Sequence, residues 1–142
     1  MKGQKIAKIL RRAAANLPRE MERAERANLT TALASARRWS GGRLSRVQRR
    51  RHPYARRHGV PLADPGRINV VSRVFQGSWR KWGPLPTGDG TDAAIFNSDP
   101  KGPLLEGGTR FMFARPLLDR VVAEIWPTVE YRRNEAIGRS FR

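Results

Sequence analysis

The order of the segments predicts an α+β chain: helices first, then strands, then a closing helix. Three observations predict it. Apolar residues recur at helical spacing through about the first forty positions, alternate from residue 68, and return to helical spacing after Pro116. At 142 residues the chain is expected to form a single domain, 1–142, with one modest core.

Ile6, Ile9, Leu10, Ala13, Ala14 and Leu17 fall at i, i+3, i+4, i+7, i+8 and i+11, one stripe of a helix over 1–17. Lys5, Lys8, Arg11 and Arg12 fill the opposite face. A basic amphipathic helix can lie on a membrane or on an acidic partner. The plainer expectation is that this one packs its stripe on its own domain.

Asn16-Leu17-Pro18 is expected to break that helix and start a longer one over 18–40. Glu20 and Glu22 suit the positive end of its dipole. Met21, Ala24, Asn28, Ala32, Ser35 and Trp39 line one side, mostly small residues that permit close approach to a sheet or a second helix. Gly41-Gly42 is a natural stop.

Net charge is +17, and its distribution is uneven. Residues 1–60 hold 17 Lys/Arg against 3 acids, +14; residues 61–142 hold 12 against 9, +3. Positions 37–58 concentrate Arg37, Arg38, Arg43, Arg46, Arg49, Arg50, Arg51, Arg56 and Arg57 without one acid, interleaved with Trp39, His52, Tyr54 and His58. Such a run binds phosphate backbones by charge and bases by stacking, or docks on an acidic protein surface through carboxylate pairs. A solvated loop that only keeps the chain soluble is the third reading. The segment 41–66 is therefore read as an Arg-rich insertion or extended loop, and the arginines as contacts to nucleic acid or an acidic partner.

Across 67–115 the pattern becomes that of a sheet. Ile68, Val70, Ser72 and Val74 alternate with Asn69, Val71 and Arg73, and Phe75–Trp82 continues the strand with Gly77 as a candidate bulge. Pro84–Asp92 reads as a loop, Ala93–Asn97 as a second strand ended by Ser98-Asp99-Pro100. Leu104-Leu105 leads into the turn Gly107-Gly108, and Arg110–Phe113 is a third strand or an extended lead-in. Trp79, Trp82, Phe96, Phe111 and Phe113 are expected in the core or at subunit contacts. Pro116 then opens a helix over 116–137, striped by Leu118, Val121, Val122 and Ile125 and kinked or restarted at Pro127, with 138–142 a frayed tail.

The chain holds no cysteine, which excludes disulfides, thiolate metal sites and cysteine nucleophiles. His52 and His58 lie six apart with no carboxylate to complete a metal shell. Asp89, Asp92 and Asp99 do not have the spacing of a calcium loop. No phosphate-cradling loop or nucleophile elbow occurs, and Glu106 has no paired carboxylate or histidine near it in sequence. No enzyme activity, cofactor, metal or catalytic residue is expected. No run reaches the roughly 18 apolar residues of a membrane span, so a soluble intracellular protein without a membrane partner is the expectation.

Three pieces resemble the tail-completion and head–tail connector proteins of long-tailed bacteriophages. The first is the basic, Ala-rich N-terminal helix ahead of the sheet. The second is Ser72-Arg73-Val74-Phe75-Gln76-Gly77-Ser78-Trp79. The third, and most specific, is Leu105-Glu106-Gly107-Gly108-Thr109 followed by Ala114-Arg115-Pro116-Leu117-Leu118, similar to the family's entry to its last helix. The likeness covers about residues 68–126. Arg73 stands where the family usually has glycine, Gly107 where it usually has an aromatic, and 43–66 has no counterpart.

The resemblance implies a small, mostly antiparallel sheet packed against a long N-terminal helix, with a C-terminal helix. It implies a virion protein of the neck or tail top, assembled in the host cytoplasm as a ring that joins portal-side proteins to the tail tube. Its partners would be further copies of itself, other neck, tail-terminator or tail-tube proteins, and the genomic DNA in the channel. Trp79, Trp82, Phe111, Phe113 and Arg115 would serve subunit contacts. A basic nucleic-acid-binding module acting through Arg37–Arg57 is the alternative.

Overall fold

The computed structural model describes residues 2–43, 69–70, 73–88 and 90–142. Its elements in chain order are α1 (Lys2–Trp39), β1 (Gly42–Arg43), β2 (Asn69–Val70), the single turn α2 (Val74–Gly77), β3 (Trp79–Thr87), β4 (Gly90–Asn97), α3 (Gly102–Gly107) and α4 (Leu117–Ser140). The architecture is α+β: a long N-terminal helix, an antiparallel two-stranded sheet β3–β4 and a C-terminal helix. A second small sheet pairs β1 with β2 in parallel, Gly42 opposite Asn69 and Arg43 opposite Val70.

The expected break at Asn16–Pro18 does not occur, and Pro18 sits inside a continuous 38-residue helix. Proline removes one N–H and crowds the preceding turn, but tertiary packing outweighs local propensity. That packing comes from α4. Asn16 Nδ2 donates to the Ser140 carbonyl at 3.5 Å, Arg133 Nε to Glu25 Oε1 at 2.7 Å, and Arg132 Nη1 to Asn28 Oδ1 at 3.2 Å and Thr31 Oγ1 at 2.8 Å. Rising numbers on α1 meet falling numbers on α4, so the two helices run antiparallel.

The chain groups into two compact units. The first comprises Met1–Thr31, Lys81–Ala94 and Ile125–Arg142, the second Ala32–Arg80 and Ile95–Glu124. In the first unit the buried positions include Ala13, Ala24, Leu29, Val129 and Ala136, with Glu25 and Asn28 buried among the helix–helix hydrogen bonds. In the second, Ala32, Ala36, Trp79, Leu117 and Val121 are buried together with Ser35 and Ser40.

The sheet differs from expectation at several points. Of the strand expected from Ile68, β2 retains Asn69–Val70; Ile68, Val71 and Ser72 lie outside the described residues. Arg73 takes a left-handed conformation (φ 61°), and Val74–Gly77 turns as a helix instead of extending. Gly77 therefore closes a helical turn, its N–H donating to the Arg73 carbonyl at 2.9 Å. The expected loop Pro84–Asp92 is mostly strand. Prolines interrupt a central strand but are tolerated at an edge, and in a two-stranded sheet both strands are edges. β4 alternates half-buried and exposed residues along its length, as a strand covered on one face should.

Leu104 and Leu105 belong to α3, not to an extended segment. Arg110–Phe113 forms no third strand; Thr109 and Met112 close a tight turn by mutual backbone bonds of 3.0 and 3.2 Å. α4 continues through Pro127 and past residue 137 to Ser140, whose side chain is buried, so the expected frayed tail is helical for three further residues.

Candidate functional site

The turn between α3 and α4, which carries the most specific motif, is held by a relay of short bonds. Asn97 Nδ2 donates to the Phe75 carbonyl at 2.9 Å, and Asn97 Oδ1 accepts from the Asp99 N–H at 2.8 Å. Asp99 Oδ1 accepts from the Lys101 N–H at 2.9 Å, which starts α3. Gly108 follows α3 at φ 70°, ψ −175°; a Cβ there would lie 2.7 Å from the Ala114 nitrogen and 2.9 Å from the Met112 oxygen. Only glycine fits both the dihedral and the space.

Glu106 is the centre of this turn. Its Oε2 accepts from the Leu117 N–H at 2.9 Å and its Oε1 from the Leu118 N–H at 3.1 Å. The first N–H groups of α4, which have no partner inside the helix, are thus capped by a carboxylate from 11 and 12 residues upstream. The Arg115 N–H donates to the Leu105 carbonyl at 2.7 Å, tying the segment before α4 to α3. Burial pushes the Glu106 carboxyl above its ordinary value, with Asp119 adding to the rise, while the Leu118 and Leu117 N–H bonds oppose it. Glu106 acts as a cap in this fold, its two oxygens each taken by a backbone N–H of α4.

A second cluster gathers on Glu124. Its Oε2 accepts from Ser35 Oγ at 2.6 Å and Trp39 Nε1 at 2.7 Å, and its Oε1 pairs with Arg38 Nη2. The Arg120 guanidinium lies 5.7 Å from the Trp39 ring centroid.

The expected contact residues separate into three groups. Arg38 has an internal partner in Glu124, whereas Arg37 is exposed and its carbonyl accepts from Gln76 Nε2 at 2.9 Å. Arg43 lies in β1, and Arg46, Arg49, Arg50, Arg51, Arg56 and Arg57, with both histidines, lie outside the described residues.

Of the expected subunit contacts, Trp79 is interior: it is 2% exposed, donates Nε1 to Ser40 Oγ at 2.8 Å, and meets the Phe75 ring edge-on at 6.0 Å. Arg115 is equally buried. Trp82 and Phe111 are exposed, Phe111 lying under the Arg110 guanidinium at 4.3 Å, and Phe113 is half-buried.

Sequence reasoning passed over the capping role of Glu106 and the whole Glu124 cluster. The Glu-to-Ala-Arg-Pro pairing within the third motif is the one signal that relates Glu106 to the start of α4. Nothing in the spacing of Ser35, Trp39 and Glu124 relates them.

One open groove of about 710 Å³ lies in the first unit, lined by apolar residues including Leu17, Met21, Pro86 and Ile137, with Arg19 and Glu22 its charged members among the described residues. Among the described residues no cluster of three His, Cys, Asp or Glu is placed to hold a metal ion, and no helix is long and apolar enough to cross a membrane. No protein-family model, curated protein or solved structure matches the chain.

Proposed function

We propose that the chain is a structural virion protein of the bacteriophage neck or tail top, a ring-forming subunit that joins portal-side proteins to the tail tube. The observation that carries the reading is the Glu106–Leu118 turn. The motif residues that resemble the connector proteins are the ones the fold uses: Glu106 caps α4, Gly108 takes a positive φ, and Arg115 and Leu117 are buried. A local sequence pattern with that much structural purpose is a better guide to kinship than composition alone.

Large apolar side chains left in water support an assembly role. Phe96, Leu104 and Phe111 of the second unit and Trp82 and Leu85 of the first are 46 to 64% exposed. A subunit built to be covered by neighbours carries such residues. The role needs no chemistry: the ring supplies geometry, and the arginine-rich segment meets the exiting genome or the acidic wall of an adjacent ring.

The +14 charge of residues 1–60 favours a second reading, a nucleic-acid-binding module. Purified particles decide between them. Imaging of tailed particles assembled with and without this chain should show a missing ring and unjoined heads and tails in its absence. Particles that join normally without it rule out the connector role.

A further inference from the structure

The first turns of α1 are not packed on the protein's own domain. Ile6, Ile9 and Leu10 are 58%, 50% and 55% exposed, and the stripe is first covered at Ala13. α4, the helix that covers the next turns, ends at Ser140, level with Asn16. Lys5 and Arg12 border the bare stripe on one side and Arg11 on the other, at 100° per residue.

α4 carries a second bare stripe of the opposite charge. Leu118, Val122 and Trp126, at i, i+4 and i+8, are 41%, 53% and 47% exposed, while Leu117 and Val121 take the buried side and Val129, on the stripe's own face, is covered. Asp119 and Glu130 follow one edge of that stripe, both exposed. Lys5, Arg11, Arg12, Asp119 and Glu130 join no ion pair among the described residues.

The structure assigns these two surfaces to each other across copies: the N-terminal turns of α1 of one subunit dock on the Leu118–Val122–Trp126 stripe of the next. The lengths agree, about 10 Å from Ile6 to Ala13 and about 12 Å from Leu118 to Trp126 at 1.5 Å per residue. Lys5 and Arg12 would face Asp119 and Glu130, so apolar burial and charge complementarity act together. Two copies of the basic stripe facing each other would instead juxtapose like charges.

An anionic lipid surface or a nucleic acid fits less well. The stripe has no aromatic anchor for a membrane, and phosphates would leave its isoleucines in water. Because the two surfaces differ, the contact is head-to-tail, and repetition closes into a ring or runs on as a filament. The inference rests on the ring-forming reading above and names the interface within it.

The absence of native cysteine makes the test direct. Full-length chains carrying Leu10→Cys are mixed with chains carrying Val122→Cys, or with Tyr131→Cys on another face of α4 as control, and oxidised. The Leu10–Val122 disulfide dimer should form and the Leu10–Tyr131 dimer should not; equal yields overturn the inference. Sedimentation supplies the second measurement. Lys5→Glu with Arg12→Glu should weaken self-association about tenfold or more, and adding Asp119→Lys with Glu130→Lys in the same chain should restore it.

Wild-type association indifferent to both charge sets would remove this interface and leave the ring reading standing. A wild-type chain that stays monomeric to about 100 μM, a concentration at which any interface tighter than ~10⁻⁴ M would populate, and forms no Leu10–Val122 dimer also overturns the interface. The ring reading would then rest on the particle experiment alone. Binding to anionic vesicles or to DNA that is lost on Ile6→Ser with Leu10→Ser would assign the stripe to those ligands and overturn the subunit contact.

Discussion

At the residue scale, Glu106 and Gly108 hold the α3–α4 turn by different means. Gly108 is there for its backbone: at φ 70°, with the Ala114 nitrogen and Met112 oxygen inside 3.0 Å of a Cβ, Gly108→Ala must shift main-chain atoms. The expected loss is about 1–3 kcal/mol, read from the denaturant midpoint. Glu106 is there for its oxygens, and burial raises its pKa in the folded chain. The native state therefore holds that proton more tightly than the unfolded chain, so the group's contribution is fully present below the unfolded value and is lost as pH rises through the folded value. Glu106→Gln should flatten this fall. If the pH slope of stability is the same in both proteins, the buried-carboxylate account is wrong. Trp79 was legible as an aromatic for burial, but its bond to Ser40 joins positions 39 apart in sequence, which no local pattern encodes. Trp79→Phe should cost about 1–3 kcal/mol, because it leaves the buried Ser40 hydroxyl without that donor.

At the element scale, the periodicity of α1 and α4 is readable because each buries a stripe, yet neither Pro18 nor Pro127 interrupts its helix as the local sequence leads one to expect. Pro18 costs roughly 3 kcal/mol relative to alanine in a helix interior, and the α1–α4 contacts on both sides of it outweigh that. Pro18→Ala should therefore stabilise the chain by about 1–3 kcal/mol and raise its thermal midpoint. No change would mean that α1 is broken at Pro18 in solution. The contacts themselves centre on Glu25, a buried carboxylate held by Arg133. Arg133 is 43% exposed, so the pair is partly screened by solvent. Arg133→Ala should still destabilise by about 1–2 kcal/mol, since among the described residues it leaves a buried carboxylate with the Asn28 amide at 3.4 Å. Replacing both Glu25 and Arg133 with apolar residues should recover much of that loss, a double-mutant comparison that isolates the pair. The sheet was the least legible element. β3 contains Pro84 and Pro86, and β2 is two residues long, so neither shows the unbroken alternation by which strands are recognised.

At the scale of the whole molecule, the charge of +17 makes two separable demands. Subunits of one sign repel, and at physiological salt that repulsion is felt over about 8 Å, so close assembly needs either opposite charges at the contact or a polyanion nearby. The arginines do not share that work equally. Arg38 is paired with Glu124 and belongs to the fold, while Arg49, Arg50 and Arg51 stand in a run with no acid between positions 37 and 58. Arg38→Ala should therefore lower stability and leave polyanion affinity nearly unchanged. Alanine at 49, 50 and 51 should do the reverse, reducing the slope of log affinity for duplex DNA against log salt by about 2–3, since each neutralised phosphate contributes roughly 0.9. Fluorescence titration between low and physiological salt separates the two. If Arg38→Ala weakens DNA binding as much as the triple substitution does, the ion pair with Glu124 does not restrain that guanidinium in solution. If neither alters the slope, the arginine run does not bind duplex DNA, and an acidic protein surface or plain solvation is left as its role.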